Sequence, residues 1–143
     1  NSLALIVPKD TPAGVTGLYD LEREGLLLAT CDPQVPIGRY SQALFAAAGI
    51  APRPSSLEAN VKGIVTKVAL GEVDAGIVYA TDALAAGARV RRIPLPPGLG
   101  PRARYPIAVL KAAADPAEAE RFLAFALGPE GQAILGQAGF AAP

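Results

Sequence analysis

From residue 3 to about residue 93, short continuous apolar runs alternate with stretches of helical period, and this alternation narrows the folds open to the chain. Leu3-Ala4-Leu5-Ile6-Val7, closed by Pro8, is the first apolar run. Leu26 to Thr30, Ala75 to Tyr79 and Val90 to Ile93 follow it. Short apolar runs bounded by turn residues suit strands buried on both faces. Between them lie a short helical candidate, Leu18 to Glu24, and a longer one, Arg39 to Ala48. The longer one sets Tyr40, Ala43, Leu44 and Ala47 on one stripe and stops at Gly49. Asn60 is a good N-cap for Val61, Ile64, Val65 and Val68, and Gly71 ends that helix. Thr81 to Ala85 restarts a helix that stops at Gly87. The pattern predicts an α/β fold: a mostly parallel sheet with helices on both faces.

Past Ile93 the character changes. Pro94 to Pro101 is a Pro- and Gly-rich loop, and Tyr105 to Leu110 is one more strand candidate. Asp115-Pro116-Ala117-Glu118 combines an N-cap Asp, Pro at the first helical position and an acid three residues after the cap. Ala119, Phe122, Leu123 and Ala126 form an apolar stripe on the helix Pro116–Leu127. A second helix, Pro129–Ala138, carries Ile134 and Leu135 and ends near Gly139. No strand follows either helix, so their apolar faces need a cover. Folding back onto the domain and packing against a second copy are the two solutions, the latter a homodimer through the C-terminal helices.

Composition removes several functions. At 143 residues and 51% apolar, with a mean hydropathy of +0.32, the chain fills the core of one ordinary domain. Its 13 basic and 13 acidic side chains cancel, so no long-range field attracts nucleic acid or an anionic membrane. Without His, the Ser-His-Asp and Cys-His arrangements and His-containing metal sites are ruled out. Cys31 is the sole cysteine, most simply a small buried hydrophobe at a strand end. No cation site and no cofactor are expected. The chain also lacks Met and opens on Asn1 followed directly by strand-like residues, which reads as a processed product or a fragment.

Ligands on wound sheets bind outside the carboxyl ends of the strands. Three segments are expected there. Cys31-Asp32-Pro33-Gln34-Val35-Pro36-Ile37-Gly38-Arg39-Tyr40 joins a strand to a helix through a loop of Pro, Gly and Asp. Asn60-Val61-Lys62-Gly63 opens the next helix, and Tyr79 closes the third strand. Helix starts leave backbone N–H groups unpaired and carry about half a positive charge from the macrodipole. Two such starts facing one crevice make an anion receptor that needs no catalytic residue.

Three motifs together resemble the periplasmic molybdate-binding proteins of molybdate ABC transporters, of the type II periplasmic binding protein family. They are Asp32 to Tyr40, Asn60-Val61-Lys62-Gly63 and Gly76-Ile77-Val78-Tyr79-Ala80-Thr81-Asp82-Ala83. Asn1 to Lys9, Tyr105 to Leu110 and the tail from Gly128-Pro129-Glu130-Gly131-Gln132 to Gly139-Phe140 fit the same family, in the same order. The resemblance implies a two-lobed protein that holds an oxyanion in the cleft between its α/β lobes. Residues 1–111 would be the second lobe, with hinge strands at both ends. Residues 112–143 would be a C-terminal helical segment of an incomplete first lobe, the family's N-terminal half having no counterpart.

The same resemblance implies the ligands. The N–H of Ile37, the N–H of Val61 and the Tyr79 hydroxyl would each donate to a molybdate or tungstate oxygen, with Gly38 and Asn60 in support. The implied partner is an ABC transporter permease, and the implied location is periplasmic or extracytoplasmic. Each residue also has a plainer reading. Tyr79 alone is an amphipathic residue at a sheet edge, Pro36 and Gly38 alone mean a loop, and the Val61 side chain belongs to the core. Arg39 is not expected to touch the anion. Arg89, Arg91 and Arg92 read as a solvated strand edge. A ligand-sensing domain of a transcriptional regulator or cytoplasmic sensor is the alternative function. Catalysis is not expected, because Asp32, Asp74 and Asp82 have no nucleophile–base pair beside them.

Overall fold

The computed structural model describes residues 1–142. Five strands form one sheet in the order β3-β2-β4-β1-β5. They are β1 (Leu3–Pro8), β2 (Leu28–Cys31), β3 (Ser56–Glu58), β4 (Ala75–Tyr79) and β5 (Val90–Ile93). Helices α1 (Pro36–Ala48), α2 (Val61–Leu70) and α3 (Ala80–Ala86) follow β2, β3 and β4 in turn. Two further helices, α4 (Pro116–Leu127) and α5 (Pro129–Gln137), end the chain.

The α/β class is as expected, but the sheet is mixed. β2 runs parallel to β3 and to β4, whereas β1 is antiparallel to both β4 and β5. Four strands thus share one direction and β1 alone opposes them. The apolar pattern cannot reveal this, because a strand buried on both faces reads the same in either direction. All of β1 and β2, and all of β4 except Tyr79, are buried. Leu5, Ile6, Leu18, Leu28, Leu44, Ile64 and Ile77 are the largest side chains sealed in the core. Packing of α2 on β4 is close enough that a Cβ on Gly76 would lie 2.4 Å from Ile64 Cγ2.

Several local expectations are corrected. Helix α1 starts at Pro36, not Arg39, so Ile37 and Gly38 lie in its first turn, not in the preceding loop. Pro at the first helical position gives up only an N–H that would be unpaired anyway. Strand β3 has no apolar run to announce it, and it forms by pairing with β2 at the sheet edge. Strand β2 begins at Leu28, two residues late, after the Leu27 N–H donates to the Asp74 carboxylate at 2.8 Å. Leu18–Glu22 closes as a 3-10 turn.

Tyr105 to Leu110 forms no strand. Pro106 has no N–H, and no sheet edge meets the segment, so its backbone stays in water. Its only ladder-like contact is just upstream, where Ala103 and Asn1 exchange hydrogen bonds of 2.9 and 2.8 Å. The last helices fold back only at their end: α4 buries no residue and α5 only Gly131, but Gly139 lies against Thr81 and Leu84 of α3, and Phe140 packs edge-on against Tyr105 with centroids 5.6 Å apart. The two helices pack on each other, and Phe122 and Phe125 remain 61% and 44% exposed. Their caps nevertheless form as expected, with Asp115 accepting from the Glu118 N–H at 2.9 Å.

Gly38 and Asn60 test how the two helix starts are held. A Cβ at position 38 would lie 2.1 Å from the Asp32 carbonyl oxygen, which is backbone and cannot yield. Gly→Ala inside a helix ordinarily gains ~1 kcal/mol. Here Gly38→Ala should instead lose more than ~2 kcal/mol by urea unfolding. Asn60→Ala should lose ~1 kcal/mol, the usual worth of an N-cap. A Gly38→Ala variant as stable as the parent would disprove the close packing of α1 on its loop.

Candidate functional site

β3, β2 and β4 are adjacent and point the same way, so their carboxyl ends share one edge of the sheet. Each end is followed within a few residues by a helix start, which collects α1, α2 and α3 at that edge. Strand β1, running oppositely, delivers its first residues to the same place. Leu3 pairs with Tyr79, and Ser2 accepts from the Ala80 N–H at 2.9 Å. Ile37, Gly38, Asn60, Val61 and Tyr79 are therefore brought together.

The loop before α1 is built by Asp32. Its carboxylate accepts from the Gln34 N–H at 2.7 Å, and its carbonyl accepts from the Val35 N–H at 3.0 Å. Its own N–H donates to Glu58 of β3 at 3.2 Å, locking this loop to the one that precedes α2. Val35, the N-cap, supplies no side-chain bond, so the helix start is uncapped. The Ile37 and Gly38 amides have no partner among the described residues. At α2, Asn60 Oδ1 accepts from the Gly63 N–H at 3.1 Å, and the Val61 and Lys62 amides stay free. Thirteen- and ten-residue helices thus present unpaired donors and the positive ends of their dipoles to the same edge.

Tyr79 is the last residue of β4 and the N-cap of α3. Its ring packs edge-on against Tyr40 of α1, centroids 6.3 Å apart. Its hydroxyl has no hydrogen-bond partner among the described residues. Burial, with smaller contributions from Tyr105, Tyr40, Asp82 and Cys31, pushes the phenol up to about 12. It therefore remains a donor at every ordinary pH. Cys31, also buried, is held up at about 11 and stays a thiol. Burial raises the Asp82 carboxyl too, against the opposing pull of the Tyr79 and Asp82 N–H groups and Lys62. Arg39, the nearest tempting cation in sequence, donates to the Gln34 carbonyl at 3.0 Å.

The edge also gathers groups that the motifs did not single out. Asn1 Nδ2 donates to Thr81 Oγ1 at 2.9 Å and to the Tyr105 hydroxyl at 3.4 Å. Only long-range pairing brings Asn1 and Tyr105 here, so no local sequence signal could have found them. A half-open recess of about 190 Å³ lies between the loop after β5 and Ser2 and Leu3 at this edge, and an apolar one of about 250 Å³ lies between residues 107–113 and α4. An arrangement of this kind, with uncharged donors at two helix starts and a strand end, can hold an anion.

Over its full length the chain is 36% identical to the molybdate-binding protein ModA of Mycobacterium tuberculosis. It covers 55% of that protein, so it spans about half the length of the curated relatives it matches. Among solved structures, it superposes on a substrate binding domain ascribed to a molybdenum ABC transporter of Clostridium difficile. The TM-score is 0.80 at 23% identity, covering 100% of this chain and 64% of the other. The sulfate-binding protein SubI of Mycobacterium tuberculosis gives a TM-score of 0.69 at 20% identity, covering 96% and 55%. At such identities the two likenesses establish the fold alone, that of a periplasmic-binding-protein lobe. Residues 1–141 match the family model for bacterial extracellular solute-binding proteins, and the chain belongs to that family.

Proposed function

We infer that this chain is the ligand-holding lobe of an ABC uptake system for a tetrahedral oxyanion, molybdate or tungstate. The observation that carries this reading is the pair of free helix-start amides beside an unpaired phenol at one sheet edge. Ile37 and Val61 donate main-chain N–H groups, and Tyr79 donates its hydroxyl. Gly38 lets α1 approach its loop, and Asn60 fixes the start of α2. A fully ionised oxyanion accepts many hydrogen bonds and donates none, so uncharged N–H and O–H donors suit it. Each bond to a charged group is worth ~1.5–3 kcal/mol. The 36% identity to a molybdate-binding protein supports the choice of anion.

In this reading residues 1–111 form one lobe, and residues 112–143 belong with a first lobe that completes the cleft. The lobe closes on its ligand without chemistry and without a cofactor. It works outside the cytoplasm and hands the anion to a permease.

Titration followed by NMR tests the donors directly. Molybdate should shift the Ile37 and Val61 amide resonances of this chain saturably. Tyr79→Phe should weaken binding about tenfold, the worth of one charge-assisted bond. A chimera carrying the remainder of the mycobacterial relative should bind at least tenfold tighter by calorimetry, because further donors and exclusion of water both help. Sulfate is the arm that reads selectivity, since only cavity size separates it from molybdate. Unmoved Ile37 and Val61 amides at saturating molybdate would overturn the assignment.

The phenol makes a separate forecast. Because folding favours its neutral form, Tyr79 contributes to stability fully below pH 10, and the contribution is lost as pH rises towards about 12. Ultraviolet titration of the chain minus that of Tyr79→Phe should show ionisation near 12; a difference midpoint at 10 would contradict the burial.

A further inference from the structure

The arginines of the β5 side are not absorbed by the oxyanion site. Residues 83–114 contain Arg89, Arg91, Arg92, Arg102, Arg104 and Lys111 and no acidic residue, in a chain whose 13 basic and 13 acidic side chains balance as a whole. Arg89 Nε donates to the Ala86 carbonyl at 3.1 Å, whereas the other five side chains, Arg92 and Arg102 among them, have neither an ion pair nor a hydrogen bond among the described residues. Arg92 and Arg102 line one recess of about 190 Å³, together with Ser2, Leu95, Gly98 and Gly100.

The recess has rigid walls. Four prolines, Pro94, Pro96, Pro97 and Pro101, stiffen the loop that forms it. Gly98 and Gly100 hold φ of +74° and +83°, and the Leu99 N–H closes a turn onto Pro96 at 3.2 Å. Leu95 and Leu99 pack against the core, and a Cβ on Gly100 would lie 2.8 Å from Leu44 Cδ1. Just past the loop, buried Ala103 exchanges hydrogen bonds of 2.9 and 2.8 Å with Asn1. The Gly98 and Gly100 amides and the Ser2 hydroxyl have no partner among the described residues. Arg92 and Arg102 thus share one half-open polar recess with main-chain and hydroxyl donors that no described protein group engages.

We propose that this recess is a second anion site, next to Tyr79 along the same sheet edge but with its own donors, and that it takes a doubly charged oxyanion of the phosphate class. Its chemistry differs from that of the first site. Two guanidinium forks match two negative charges and planar pairs of oxygens, while the glycine amides and Ser2 supply neutral donors. A preformed loop keeps the entropy lost on binding low.

Inorganic phosphate is the probe, titrated into the isotope-labelled chain at constant ionic strength set with chloride. Saturable shifts are expected at the Arg92 and Arg102 side chains and at the Gly98 and Gly100 amides. Arg92→Gln and Arg102→Gln should each weaken binding at least tenfold, with circular dichroism confirming the fold. Arg104→Gln, outside the recess, should leave binding unchanged, as should Tyr79→Phe, which separates this site from the first. Acetate, with one charge, should bind at least tenfold more weakly than phosphate. Non-saturating shifts shared with Arg91 and Arg104 would mean diffuse screening and would overturn the site. So would saturable binding indifferent to both recess substitutions, or equal affinity for acetate.

Discussion

Parallel pairing of β2 with both β3 and β4 is the constraint on which everything functional here depends. A parallel neighbour can be reached only by a crossover, and each crossover in this chain begins with a helix. Three adjacent parallel strands therefore commit three helix starts to one edge, whatever side chains those helices carry. The unpaired amides at Ile37 and Val61 are consequences of topology before they are consequences of residue type. The antiparallel β1 adds to the effect by returning the start of the chain to the same edge, where Asn1 meets Thr81 and Tyr105.

Main-chain donors and arginines solve the problem of holding an anion in different ways. An N–H at a helix start is fixed by the fold, brings a partial charge, and costs little to desolvate. A guanidinium brings a whole charge, which must be stripped of water or neutralised. Near the Tyr79 edge Arg39 is tied to Gln34, and burial raises the Asp82 pKa while Lys62 opposes that rise. Helix dipoles add to the field of these charges. Beside β5 cations accumulate, with no acid among residues 83–114 to offset them.

What could be read from the residues follows the same division between local and long-range causes. Strands β4 and β5 and helix α4 lie where their apolar runs and caps predict, because those signals are local. The three motifs mark two helix starts and a strand-end tyrosine in the sequence, and the sheet brings all three to one edge. One strand went unread and one strand reading failed, for opposite reasons. Ser56–Glu58 has little apolar content yet pairs with β2, and Tyr105–Leu110 is apolar yet finds no edge to join. A strand is a relation between two segments, so neither outcome was decidable from one of them. The direction of β1, the role of Asn1 and the recess between Arg92 and Arg102 are relational in the same sense.

The C-terminal helices show how far local signals reach alone. Asp115, Pro116 and Glu118 start α4 with a formed cap, and Arg121 pairs with Glu118 on its surface. Helix α5 starts at Pro129 without a side-chain cap. Neither helix contributes to the core, whose residues all precede residue 104. A compact protein of 14.6 kDa exposes about 6,900 Å² by the usual scaling with mass, and this chain exposes 8636 Å². The surplus is comparable to what one partner contributes to a large interface. Tyr105, Ile107, Leu110, Phe122, Phe125, Leu127 and Ile134 are exposed along the same arm, so much of the unburied apolar surface lies there. Capping and period suffice to make a helix; burial of its stripe requires a second surface, which contacts at Gly139 and Phe140 alone do not supply.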